Sequence, residues 1–398
     1  MIMSETVLKG QILTRGVSFS DNALKYASVQ GAKCQNMVYN APVGSNISRP
    51  QELIIRHFDG YETVVSCVAP CKENEVQIDL IDQRLVAFVD GRYIQDIDID
   101  FVKQPDYYST KIGDGSRVKS FVSACGYDEL NILPWSGCSV SKGCLFCGIN
   151  TVMSETSQNC YTADRISQTN LWKESKEKYV DRLKQAILIA SKSECYNEHM
   201  HVIMISGNLS NNQLDLQAEI YSYIASHIRE VVAQKATEGI IAVLMPPNKR
   251  SLIPEMLDSG ISTVVFNLEV GDRKLFEKYC PGKADIGYDH ILESLYYASE
   301  VFGRGHSWSN FVLGLEPMDG LLKINEKLAM NGVVSSANVL HLDKGNRLDC
   351  TSPDFDDVIR YFYELSGILK QYDFKPFYCE KALRTSLSNE AFNGRIKF

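Results

Sequence analysis

The sequence predicts an α/β fold: a partial (β/α)6 barrel of the TIM type, with a small β-rich N-terminal domain or extension. Two observations predict the barrel. From about residue 129 short apolar runs alternate with amphipathic stretches, and nearly every run ends in polar or glycine residues. A third observation predicts the β-rich part, where two pairs of strand-like runs flank Asp-Gly turns within the first hundred residues. The boundaries that follow are 1–115 for the N-terminal part, whose role the sequence does not give, 116–385 for the barrel and 386–398 for a C-terminal tail.

In chain order, the first fifty residues carry many breakers (Gly10, Gly16, Gly31, Gly44, Asn40, Asn46) and little periodicity. Runs 53–58 and 63–68 then flank Asp59-Gly60, and runs 85–89 and 93–97 flank Asp90-Gly91-Arg92, each reading as a hairpin. Cys67 and Cys71 invite a metal reading, but two thiols are too few ligands, so a core strand cysteine and a loop thiol are favoured. His57 reads as a sheet residue. A connector over 100–125 leads to a first barrel strand at 129–134.

The alternation then follows: helix 171–192, strand 201–205, helix 214–237, strand 240–244, helix 252–257, strand 263–268, helices 273–279 and 288–302, strand 309–313, helix 321–330, strand 333–340 and helix 355–372. A doubly wound sheet gives the same alternation, and an eight-unit barrel requires strands beyond those the pattern marks. Polar strand ends favour a barrel. Ser206-Gly207-Asn208, Asn267 with Glu269, Gly314 with Glu316, and His341 with Asp343 would meet at one mouth.

The first strand delivers the stretch 134–148, which holds Cys138, Cys144 and Cys147 at C-x5-C-x2-C. A pair two residues apart lets both thiolates reach one centre, and a third on a glycine-punctuated loop closes round it. Three thiolates on a four-iron cluster leave one iron without a protein ligand. The alternative is structural zinc, which needs a fourth ligand from Cys125, Cys160 or a histidine. Cys379 stands alone, and an auxiliary cluster would need more cysteines near it.

With Phe146 just before the last cysteine, this stretch resembles the radical S-adenosylmethionine (SAM) superfamily, whose usual spacing is C-x3-C-x2-C. The longer first loop is similar to proteins related to HmdB, which belong with biotin synthase and hydrogenase-cofactor maturases. Residues 265–270, the run Cys280-Pro281-Gly282-Lys283, and 312–316 look like the middle of a biotin-synthase-like barrel. The resemblance covers roughly residues 125–385.

It implies a [4Fe-4S] cluster on Cys138, Cys144 and Cys147, SAM on the fourth iron, and reductive cleavage to a 5′-deoxyadenosyl radical that takes hydrogen from a substrate. Under it Glu269 is the candidate acceptor for the SAM ribose or ammonium, and its alternative is a carboxylate paired with Lys or Arg. Arg273 is the candidate for the SAM carboxylate, against a surface helix arginine. Ser206, Gly207 and Asn208 occupy the place of a glycine-containing motif near the methionine part. Glu316 and His341 are weaker candidates. A one-electron reductant such as flavodoxin or ferredoxin is implied as partner.

Composition narrows the rest. A net charge of −8 argues for a small metabolite or cofactor precursor over nucleic acid, although a tRNA- or peptide-modifying variant stays within the class. No run approaches the roughly 18 apolar residues of a membrane span. The start, 1–6, lacks the basic and apolar stretches of a secretory signal. With twelve scattered cysteines, this predicts a reducing cytoplasm. Two other classes compete: a zinc-stabilised α/β binding protein and an iron–sulfur electron carrier.

Overall fold

The computed structural model describes residues 1–34, 49–70, 74–140, 142–150, 161–194, 196, 200–233, 239–342, 345–376, 381 and 383–398. Cys71, Cys160, Asp343 and Cys379 lie outside them. Among the described residues the strands form two sheets.

The first sheet contains β1 (Val17–Phe19), β2 (Glu52–His57), β3 (Glu62–Ser66), β4 (Val76–Ile81), β5 (Arg84–Val89), β6 (Arg92–Tyr93) and β7 (Ile97–Phe101). Its order is β1-β4-β5-β7-β2-β3, with β6 paired to β5. The expected hairpin at Asp59-Gly60 is present, with β2 and β3 antiparallel and Gly60 at φ 90°. The stretch 93–97, expected as one strand, divides between β6 and β7.

Residues 1–34 depart further from expectation, because they hold α1 (Ser4–Arg15) and α2 (Asp21–Val29). α1 hides its period by burying polar residues. Lys9 is fully buried, and its ammonium reaches Glu390 (2.8 Å), Thr63 (3.0 Å) and the Leu383 carbonyl (3.0 Å). Glu5, also fully buried, pairs with Arg395. The chain's last segment, with α12 (Ser388–Phe392), is therefore packed onto α1.

The second sheet is the one the alternation predicts. It contains β8 (Val122–Cys125), β9 (Glu129–Ile132), β10 (His201–Ile205), β11 (Ile240–Val243), β12 (Ile261–Val265), β13 (Ser307–Leu313) and β14 (Val334–Val339). β9 to β14 are parallel and lie side by side in chain order, and β8 adds antiparallel to β9.

Between them run α3 (Ala163–Gln168), α4 (Leu171–Ala190), α5 (Leu214–Ala233), α6 (Leu252–Asp258), α7 (Arg273–Tyr279), α8 (Pro281–Ala284), α9 (Tyr288–Phe302) and α10 (Met318–Met330), and α11 (Phe355–Gln371) follows β14. A doubly wound sheet reverses its strand order at a switch point. Here the order never reverses. Crossover helices pack against one another, α4 on α5, α5 on α6, α6 on α9 and α10 on α11. The result is an open (β/α)6 half-barrel. No helix among the described residues is long and apolar enough to cross a membrane.

The sheets meet at the N-terminal ends of the parallel strands. There Glu52 of β2 is fully buried between Lys33 (2.6 Å) and Arg384, and it accepts from the N–H of Gly126 in the β8–β9 turn (3.3 Å). Burial alone would raise the Glu52 pKa, but the two cations hold it below the usual carboxylate value.

Beside it, burial pushes Asp128 up to about 6, against the opposing N–H of Lys381. An acid raised in the folded state resists ionisation there, so stability falls as pH rises from about 4 through about 6. Asp128→Asn removes the titration. Urea unfolding is expected to show the variant gaining roughly 2–3 kcal/mol on wild type between about pH 4 and pH 7. A constant difference across that range contradicts the assignment.

Candidate active site

β9 ends at Ile132, and the chain turns through Trp135 into the cysteine loop at the C-terminal mouth of the half-barrel. Trp135 is fully buried and edge-on to Tyr221, with ring centroids 5.7 Å apart. Its indole N–H donates to the Gly207 carbonyl (2.6 Å), its backbone N–H to Ser206 Oγ (3.2 Å), and Ser206 Oγ donates back to its carbonyl (2.9 Å). The loops after β9 and β10 are thus tied together. An added Cβ on Gly207 would stand 2.3 Å from the Gly137 carbonyl oxygen and 2.6 Å from Cys138 Cβ, so only glycine fits.

Asn208 completes the tie. Its carbonyl accepts from the Ser139 N–H (2.8 Å), and its Oδ1 accepts from Met245 N–H and Gln217 Nε2, each at 3.0 Å. Ser206, Gly207 and Asn208 therefore adjoin Cys138 and brace its loop. Asn150 braces it from the other side, accepting from the Cys138 N–H (2.8 Å) and donating to its carbonyl (2.9 Å). Sequence reasoning did not single out Asn150, which carries no motif signal.

A second clamp comes from the far side of the mouth. The Leu145 N–H donates to the Tyr279 carbonyl and the Gly282 N–H to the Lys142 carbonyl, both at 2.8 Å. Arg347 adds its side chain on the Gly143 carbonyl (2.5 Å) and its N–H on the Leu145 carbonyl (2.7 Å). A Cβ on Gly282 would meet Val140 Cγ1 at 2.2 Å, so this contact too requires glycine.

These ties bring the thiols of Cys138, Cys144 and Cys147 within electrostatic reach of one another. Burial raises Cys138, opposed by the N–H groups of Val140 and Asn208 at its sulfur. Burial of the sulfur pushes Cys147 up to about 12, although the residue as a whole is exposed, and the Ile149 N–H opposes it. Cys144 shifts the other way, lowered by the thiol of Cys280 and then by Lys283 against burial.

Lys283 is the buried cation of the site, donating to Glu269 Oε1 and to the Asn267 carbonyl, each at 2.8 Å. Burial pulls its pKa down, but Glu269 and the Cys144 and Cys280 sulfurs hold it above its usual value. Glu269 sits at φ 68°, a strained conformation for a residue other than glycine, fixed by its N–H on the Asn310 carbonyl (3.1 Å) and its carbonyl under the Val312 N–H (2.8 Å). The pairing with Lys283 is the arrangement named from sequence as the alternative to SAM binding.

The other candidates are dispersed. Arg273 forms a two-bond pair with Asp289 (2.7 Å through one nitrogen), lies over the Tyr288 ring and is half exposed. Glu316 accepts from the N–H groups of Gly271 (2.5 Å) and Asp272 (2.9 Å), capping the start of α7, and burial raises its pKa. His341 is buried with Nδ1 2.9 Å from the Val339 carbonyl. Cys125, weighed as a fourth zinc ligand, pairs across the sheet with Glu129 at the opposite end from the loop. Among the described residues no three His, Cys, Asp or Glu side chains are grouped to hold a single metal ion. A cavity of about 570 Å³ lies away from the thiols, walled by β2, β7 and the β8–β9 turn at the sheet's other end.

The donor set fits an iron–sulfur cluster. Three cysteines share one loop, backbone N–H groups lie by all three sulfurs, and a buried ammonium stands by Cys144, all of which favour a negatively charged cluster.

No family model matches the sequence, and no curated protein matches it. Among solved structures the chain is similar to the FeFe-hydrogenase maturase HydG from Carboxydothermus hydrogenoformans (12% identity, TM-score 0.40, covering 65% of this chain and 56% of that one). It is also similar to methylornithine synthase (PylB), at 10% identity and TM-score 0.39, with 61% and 62% covered. A radical SAM methyltransferase from Sphaerobacter thermophilus matches at 11% identity and TM-score 0.41, with 89% and 79% covered. The chain thus spans less than two thirds of the first two.

Proposed function

We propose that this protein is a radical SAM enzyme acting on a small metabolite or cofactor precursor. The observation that carries the proposal is the convergence of Cys138, Cys144 and Cys147 on a doubly clamped loop at the C-terminal mouth of an open parallel half-barrel, where barrel chemistry is placed. When bound, a [4Fe-4S] cluster with SAM supplies a 5′-deoxyadenosyl radical for hydrogen abstraction, given one electron from a reductant such as flavodoxin or ferredoxin.

The chain's own residues do the holding. The three thiolates ligate, the Val140, Asn208 and Ile149 N–H groups donate to sulfur, and Lys283 compensates negative charge. The exposed part of Cys147, whose sulfur is itself buried, puts the loop at the surface where a reductant can approach. Residues 206–208 flank the thiols and are proposed to meet SAM, and Glu269, whose bond from Lys283 falls on Oε1, is proposed to meet it through Oε2. Arg273 would have to leave Asp289 to join them, so it is left out of the set. The net charge of −8 favours a small substrate over a polyanion.

Anaerobic reconstitution with iron and sulfide tests the proposal. Wild type is expected to show the low-temperature EPR signal of a reduced four-iron cluster, and SAM is expected to change its shape, because the open iron gains ligands. Cys144→Ala is expected to lose the signal. A signal indifferent to SAM favours an electron carrier, and stoichiometric zinc without iron favours a structural site.

A further inference from the structure

The second clamp brings a fourth cysteine to the loop. The two ties, Gly282 N–H to the Lys142 carbonyl and Leu145 N–H to the Tyr279 carbonyl, run segments 142–145 and 279–282 antiparallel. In the register these two ties set, Cys144 and Cys280 stand directly opposite each other. Cys280 is 0% exposed, so water does not compete for its proton. Its place is fixed by the Gly282–Val140 contact, which leaves no room for even one added carbon.

We propose that Cys280 is a positioning residue for the cluster, its thiol donating a hydrogen bond to the Cys144 sulfur and raising the cluster's reduction potential. The inference rests on the cluster reading above. A thiolate bound to iron has no proton and only accepts, whereas Cys280, outside the C-x5-C-x2-C loop, keeps one to give. Hydrogen bonds to the sulfurs are among the factors that set cluster potentials, and a donor favours the more negative, reduced state. Removing the donor makes the cluster harder to reduce.

The test compares wild type, Cys280→Ala and Cys280→Ser, each reconstituted with iron and sulfide without oxygen and titrated under EPR, with no SAM present. The expected result is full iron and sulfide in all three, a more negative potential in the alanine variant, and a return toward wild type in the serine variant, whose hydroxyl donates in place of the thiol. An unchanged potential in the alanine variant, or a serine variant shifted as far as alanine, overturns the inference and leaves the cluster reading intact. Loss of the cluster from both variants overturns it by making Cys280 a ligand. Wild type that takes up no iron and sulfide overturns the reading and the inference together.

Discussion

Gly207→Ala, reconstituted anaerobically, is expected to hold roughly tenfold less cluster than wild type while remaining folded. The added carbon would lie 2.3 Å from the Gly137 carbonyl oxygen and 2.6 Å from Cys138 Cβ, separations that real side chains do not adopt. Neither neighbour yields easily. Gly137 and Cys138 follow Trp135, which is itself bonded to the Gly207 carbonyl, and Cys138 is held by two bonds to Asn150. The loop must shift, at the roughly 1–3 kcal/mol typical of overpacking, and 1.4 kcal/mol is a tenfold change in occupancy. Gly282→Ala is expected to act alike through Val140 and Lys142. Gly320→Ala, which meets nothing within 4 Å, is the control. Full iron and sulfide in Gly207→Ala would show that the glycine after β10 does not set the loop's position.

Glu52→Ala is expected to lower unfolding free energy by about 3–5 kcal/mol, because it leaves Lys33 and Arg384 buried with no counter-charge. The pair geometry explains the size: Lys33 is fully buried, so water cannot replace the carboxylate. Losing one partner costs more than losing the set, so replacing Glu52, Lys33 and Arg384 together with apolar residues is expected to recover most of the stability. The wild-type contribution is acid-labile: with the Glu52 pKa held low in the fold, it is present above the unfolded carboxylate value and lost as pH falls through the folded one. Urea titrations of both variants measure the effect. A loss below about 1 kcal/mol in Glu52→Ala would contradict it.

The half-barrel was legible because its signal is local. Residues 240–243 are apolar without a break and the first three are buried, and α9 and α11 repeat apolar residues at helical spacing. The cysteine loop was legible because the spacing of its ligands is itself the motif. What stayed hidden depends on partners far along the chain. α1 buries Lys9 and Glu5, which read as surface residues until Glu390 and Arg395 arrive nearly four hundred residues later. β8 is four residues long, too short for a period to show. At the site, the Lys283–Glu269 pair joins a helix to a strand end, and Arg347 reaches back two hundred residues to Gly143. The run Cys280-Pro281-Gly282-Lys283 stands out in the sequence, but nothing in its letters says that it closes over the loop.

The central claim is tested most directly by following SAM itself. Protein purified and reconstituted without oxygen is mixed with SAM and dithionite, and 5′-deoxyadenosine is measured by chromatography, with Cys144→Ala alongside. The account predicts deoxyadenosine from wild type and none from the variant. A colourless protein that retains zinc and leaves SAM intact would contradict it.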